Sequence, residues 1–222
     1  SAVTSSGTFR TQNSTALYCK AGSNFNGTLK VNTGTTLCND DSPPYVGTLY
    51  GPVTIDTGAV LSTVNGGYGL KIMNNTINNG TLTCGGGANL RFYGANLTNN
   101  GIVSATPFYF DTDSHTIQGT GTWNTNANVV SGSTVNLATN HKMFSVTVNS
   151  GGTFNVLTFM LSLSASNPIG NSGTFNTSAG KIEYNGTSAQ SISNSNVTYN
   201  KLRINNNSGT SLIGSTTVND TL

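Results

Sequence analysis

An all-β chain wound as an irregular parallel β-helix, a β-solenoid, is what this sequence predicts, and three observations lead there. A four-position pattern recurs. In GTLKVNTGTTL, residues 27–37, Leu29 and Val31 alternate with polar neighbours, Gly34 breaks the strand, and Leu37 is expected to turn inward again. Val53, Ile55, Gly58 and Leu61 repeat the pattern, as do Leu82, Cys84, Gly87 and Leu90, and then Val146, Val148, Gly151 and Phe154. Weaker echoes fall at Ala127, Val129, Gly132 and Val135, and at Leu202 with Ile204. A strand and a turn recurring at such intervals mark a stack of coils, each burying its apolar face against its neighbours. The second observation is composition: only 7% of residues are Asp, Glu, Lys or Arg, against about 25% in ordinary soluble domains. Polarity comes from Asn, Thr, Ser and 27 Gly, residues of turns and strand faces that disfavour long helices. The third is drift in the repeat, whose good copies begin at residues 27, 51 and 80. Drift favours an irregular solenoid over the strict short-repeat kinds. A β-sandwich is the alternative, but it does not require one register to recur.

Along the chain, residues 1–26 hold the pattern loosely and are expected to form an irregular capping coil, with solenoid rungs over 27–222. The stretch 39–50, with Asp40, Asp41, Pro43 and Pro44, is expected to leave the sheet as a loop. The NNG at 78–80 returns at 99–101, which suggests equivalent corners. Residues 155–169 are the most apolar, as expected of a rung buried on both faces or offered to a partner. LIGSTTVNDTL at the far end reads as a rung begun and not completed, so Thr216, Val218 and Leu222 form a candidate assembly edge.

The +2 formal charge is thinly spread, with no basic cluster of the kind that tracks phosphates, so nucleic acid is not an expected partner. No apolar run is long enough to span a bilayer as a helix. Cys19 and Cys38 lie about one coil apart and are candidates for a disulfide between adjacent rungs. Cys84, at the register position of Val31 and Ile55, reads as a core residue. Asp111, Asp113 and His115 alternate with Thr112 and Ser114, so a regular strand would project all three from one face. Such a trio could hold a metal or serve acid–base chemistry on a sugar. His141 has Lys142 beside it and no nearby carboxylate, and reads as a surface residue. Phe92 and Tyr93, with Phe108, Tyr109 and Phe110 further on, could stack on neighbouring rungs as platforms for sugar rings. Outward threonines such as Thr81 and Thr83 suggest ice-binding solenoids, but the drifting repeat argues against a long regular array. Polysaccharide-cleaving sites gather several carboxylates with cations. Here the sole Glu is Glu183, so no catalytic set and no cofactor is implied.

With the repeats in view, GTLKVNTGTTLC, TINNGTLTCGGGANL and NSGTFNTSAGKIEYNGTSAQSI resemble the β-solenoid stretches of very large bacterial secreted surface proteins. They resemble in particular the adhesin-like proteins exported by the type IX route. The resemblance covers most of the chain and lies in repeat language, without a diagnostic motif. It implies an extracellular or cell-surface location, a longer parent chain and a role as stalk, adhesin or appendage subunit, with no catalytic residues to carry over. The function expected is therefore structural or adhesive, with self-association or continuation of the same chain as partner and a cell-surface glycan as a possible target. The alternative is a carbohydrate-binding or polysaccharide-degrading β-helix.

Overall fold

A computed structural model describes residues 7–13, 15–18, 26–39, 46–63, 69–84, 88–105, 107–193 and 196–220. Their regular structure is all β, and the strands stack in parallel as a β-solenoid. Two compact units divide the chain, Ser1–Tyr109 and Phe110–Leu222.

In the first unit the strands Thr8–Thr11, Thr28–Val31, Val53–Ile55, Thr76–Asn78 and Asn96–Asn99 stack in succession, placing Phe9, Leu29, Val53, Thr76 and Leu97 in one inward column. Two residues along, Thr11, Val31, Ile55, Asn78 and Asn99 form a second. The strand Thr8–Thr11 thus joins the stack in register, although the sequence pattern is faint there. Other sides of the coil carry the columns Thr36, Leu61, Leu82, Val103 and Leu49, Ile72, Phe92. Each aliphatic residue in these columns is fully buried, a gain of roughly 1.5–3 kcal/mol apiece.

Three sequence expectations are corrected by this register. Thr36, not Leu37, lies opposite Leu61 and is buried, because the rung 53–63 carries one more residue through its turn and Ala59 fills the corner. Thr36 satisfies its hydroxyl by donating to Thr11 Oγ1 at 2.6 Å. Leu82 belongs to the column of Leu61, not to that of Leu29; both sides of a coil read as apolar alternation followed by a glycine turn, so the sequence pattern fits either. The stretch 39–50 is not all loop, since Val46–Leu49 is a strand on Gly69–Ile72 with Gly47 and Leu49 inward.

The NNG corners do coincide. Asn78 faces Asn99, and the Asn78 Nδ2 donates to Asn99 Oδ1 at 2.8 Å and to the Ile102 carbonyl at 3.0 Å. On the exposed side Asn100 Nδ2 donates back to Asn79 Oδ1 at 2.9 Å. A Cβ on Gly101 would stand 1.9 Å from the Gly80 carbonyl oxygen, so only glycine lets these corners stack.

The second unit repeats with greater regularity. Ala127, Val129, Gly132 and Val135 lie in register with Val146, Val148, Gly151 and Phe154: three positions pair strand to strand, and the Gly132 N–H donates to the Gly151 carbonyl at 3.0 Å. Both glycines sit at positive φ, 81° and 78°, the left-handed conformation that a Cβ disfavours. His115, Val135, Phe154, Phe175 and Val197 form one inward column, in which the Phe154 and Phe175 rings stack at 5.4 Å. Trp123, Met143, Leu163, Tyr184 and Ile204 form another. In the apolar stretch 155–169, Leu161 and Leu163 point inward and Ser162 is buried on the opposite side.

Candidate functional site

The trio Asp111, Asp113 and His115 does not share a face. Thr112 and Asp113 adopt φ of 36° and 87°, and this left-handed corner breaks the alternation a strand would give. Asp111 and His115 are buried while Asp113 is exposed, and the His115 ring packs at a tilt of 46° against Phe110 with ring centroids 5.5 Å apart. Among the described residues no three His, Cys, Asp or Glu side chains lie close enough to hold a metal ion. Of the five aromatics singled out as platforms, Phe92, Phe108 and Phe110 are core residues. Tyr93 and Tyr109 are half-buried, and the Arg91 guanidinium lies over the Tyr109 ring at 4.8 Å. Cys19 and the side chain of Cys38 lie outside the described residues, as does Leu222.

Two further expectations are overturned. His141 is 2% exposed and sits in an inward column above Leu161, Ile182 and Leu202. The Thr139 hydroxyl, which donates to the Gly119 carbonyl, and the Ile117 carbonyl both face His141 Nε2, at 3.2 and 3.3 Å. Both neighbours accept, so Nε2 carries the proton, and the Nδ1 lone pair is buried without a partner. Burial holds its pKa below 6.5, partly offset by the Ile117 carbonyl. Cys84 lies two residues beyond the end of the strand Thr81–Leu82 and is half-buried instead of core. Burial lifts its thiol to about 12 against a small opposing hydrogen bond from Thr63, leaving it protonated and unreactive at neutral pH.

The second unit also carries a polar site absent from the sequence reading. On the strands Thr122–Val129, His141–Val148, Met160–Leu163, Lys181–Tyr184 and Val197–Ile204, the outward column runs Thr122, Lys142, Ser162, Glu183, Arg203. Glu183, 6% exposed, clasps three rungs. It accepts from Ser162 Oγ at 2.5 Å, pairs with Arg203 Nη1 at 3.3 Å, and accepts from Asn205 Nδ2 at 3.5 Å. Both its oxygens are engaged by neighbouring side chains, Oε2 by Ser162 and Oε1 by Arg203 and Asn205. Beside this clasp the register slips between Trp123 and Asn126, where the upper strand carries one residue more than its neighbour. Next to the slip lies a groove of about 190 Å³ lined by Thr122, Asn124, Lys142, Ser162, Ser164 and Asn185 together with the buried Trp123 and Met143. Phe144, 47% exposed, points outward two residues from Lys142, and its carbonyl accepts from the groove residue Ser164.

The last rung has a different character. Ile204, Leu212 and Val218 occupy columns whose preceding members, Tyr184, Ile192 and Tyr199, are buried. They are nevertheless 45%, 62% and 38% exposed, with Ile213 at 53% beside them. No protein-family model, curated protein or solved structure matches the chain. No helix among the described residues is long and apolar enough to cross a membrane.

Proposed function

We propose that this chain is an extracellular structural or adhesive β-solenoid without enzymatic activity, part of a surface fibre, appendage or adhesin stalk, extended by stacking of a further coil on its last rung. The observation that carries this reading is the apolar edge of Ile204, Leu212, Ile213 and Val218. Ile204, Leu212 and Val218 continue inward columns, so a coil in like register would bury them as the lower rungs are buried and would pair with the backbone of this last rung. The near absence of charge fits the same role, because stacked coils place equivalent residues one above another and like charges would repel at each step. The occupant proposed for the edge is a coil of a neighbouring copy. The resemblance of the repeats to those of secreted surface proteins supports the extracellular setting.

Electron microscopy of the purified protein over a range of concentrations tests the reading. End-to-end chains or filaments are expected for the native sequence, and dispersed particles for a variant carrying Ile204→Lys and Leu212→Lys. Both positions are exposed, so the double variant keeps its fold. Native protein that stays dispersed at every concentration would remove the case for a stacking edge.

A further inference from the structure

We propose that the groove above Trp123 and Met143 binds one ring of an acidic glycan, a sugar bearing a carboxylate, with Lys142 as its anion contact and Phe144 as its stacking platform. Charge identifies the sign of the ligand. Four of the chain's nine Lys and Arg residues, Lys142, Lys181, Lys201 and Arg203, stand on this one stack of strands. Arg203 is neutralised by Glu183 and Lys201 by Asp220 at 3.5 Å. Lys142 is exposed and lines the groove, and among the described residues no carboxylate pairs with it. An anionic group entering the groove would therefore meet an available ammonium.

The remaining lining identifies the chemical class. Asn124, Ser164 and Asn185 offer neutral donors and acceptors around a single cation. That ratio suits a polyhydroxylated ring with one charge, whereas a nucleic-acid phosphate track calls for repeated cations. The exposed Phe144 ring adds a flat apolar surface of the kind that covers the C–H face of a sugar. The groove, at about 190 Å³, is smaller than the roughly 300–1,000 Å³ typical of enclosed ligand pockets. It therefore holds one unit of a chain that continues across the open face. The bulge between Trp123 and Asn126 lies next to the groove residues Trp123 and Asn124.

Isothermal titration with a galacturonate oligomer and a neutral galactose oligomer of matched length tests the assignment. The acidic oligomer is expected to bind, more weakly as salt rises, and the neutral one to bind at least roughly tenfold less tightly. Lys142→Ala and Phe144→Ala should each lower the affinity for the acidic oligomer by roughly tenfold, whereas Lys142→Arg should restore much of it and Lys71→Ala leave it unchanged. Both groove substitutions are at exposed positions, and circular dichroism confirms the fold of each variant. Equal binding of the two oligomers, binding of neither, or full affinity in Lys142→Ala would overturn the proposal. The site is independent of the stacking edge: the Ile204→Lys, Leu212→Lys protein, dispersed by design, should bind the acidic oligomer as the native one does.

Discussion

At His141 a polar side chain occupies a position its neighbours fill with leucine and isoleucine. It lies buried in the neutral form, with Nε2–H directed at two acceptors and Nδ1 enclosed. Its folded pKa lies below 6.5, so the unfolded chain takes up the proton first as pH falls. The stability this site contributes is complete above 6.5 and is lost progressively below it. Urea titrations at neutral pH and near pH 5 should show the native protein weakening with acid, and His141→Leu, matching Leu161 beneath it, should flatten that dependence. Gly101 makes the opposite kind of demand, for absence of a side chain. Gly101→Ala would drive a methyl group into the Gly80 carbonyl and should cost about 1–3 kcal/mol by thermal or urea unfolding. The trio Asp111, Asp113 and His115 shows why the expected common face failed: the alternation is cancelled by two left-handed residues, Thr112 and Asp113, a backbone event that Thr and Asp do not announce.

At the scale of the strand and its neighbour, the amide pair Asn78–Asn99 follows Val31 and Ile55 in one inward column. Each amide is fully buried, and Asn78 depends on Asn99 for a hydrogen bond. Replacing one alone with Ile should destabilise the protein by about 1–3 kcal/mol, because a buried polar group loses its partner. The double replacement, extending the aliphatic column, should fall within about 1 kcal/mol of the native protein, as a double-mutant cycle would reveal. Much at this scale was legible in sequence: the alternation in 27–37 and 51–61, the matching NNG corners, and the register of 127–135 with 146–154 all rest on local period and glycine turns. The assignment of a strand to one side of the coil was not legible, as Leu82 shows, because every side uses the same pattern. Nor was the groove. Its lining comes from four successive rungs, and it lies next to a bulge whose extra residue, between Trp123 and Asn126, leaves the composition of the strand unremarkable. Had His141 been read as core, the strict alternation of residues 141–144 would have put Lys142 and Phe144 together on the outer face.

For the molecule as a whole, stability is the sum of rungs and of the interfaces between successive rungs. In the second unit the interior columns are closed on both sides at Val148, Phe154 and Leu163 but open at Ile204 and Leu212. Hydrogen exchange should therefore follow a gradient, with amides of His141–Val148 the slowest and those of Thr210–Leu212 and Thr217–Asp220 the fastest. Uniform protection across these strands would contradict nearest-neighbour energetics and imply cooperative unfolding of the unit. Assembly through the last rung should raise protection there first.

The outer amides at the two NNG corners give the fold a clock. Asparagine followed by glycine is prone to losing ammonia through a cyclic imide, and Asn79–Gly80 and Asn100–Gly101 stack such bonds one above the other. The damage is unequal. Asn79 serves only as acceptor in its contact with Asn100, so a carboxylate there would preserve the bond and strengthen it. At Asn100 the donor itself would be lost, and the new negative charge would face a carbonyl oxygen. Aged material should thus loosen at the rung of Asn100 before that of Asn79; the two lesions add the same mass and are told apart by their position in a peptide map.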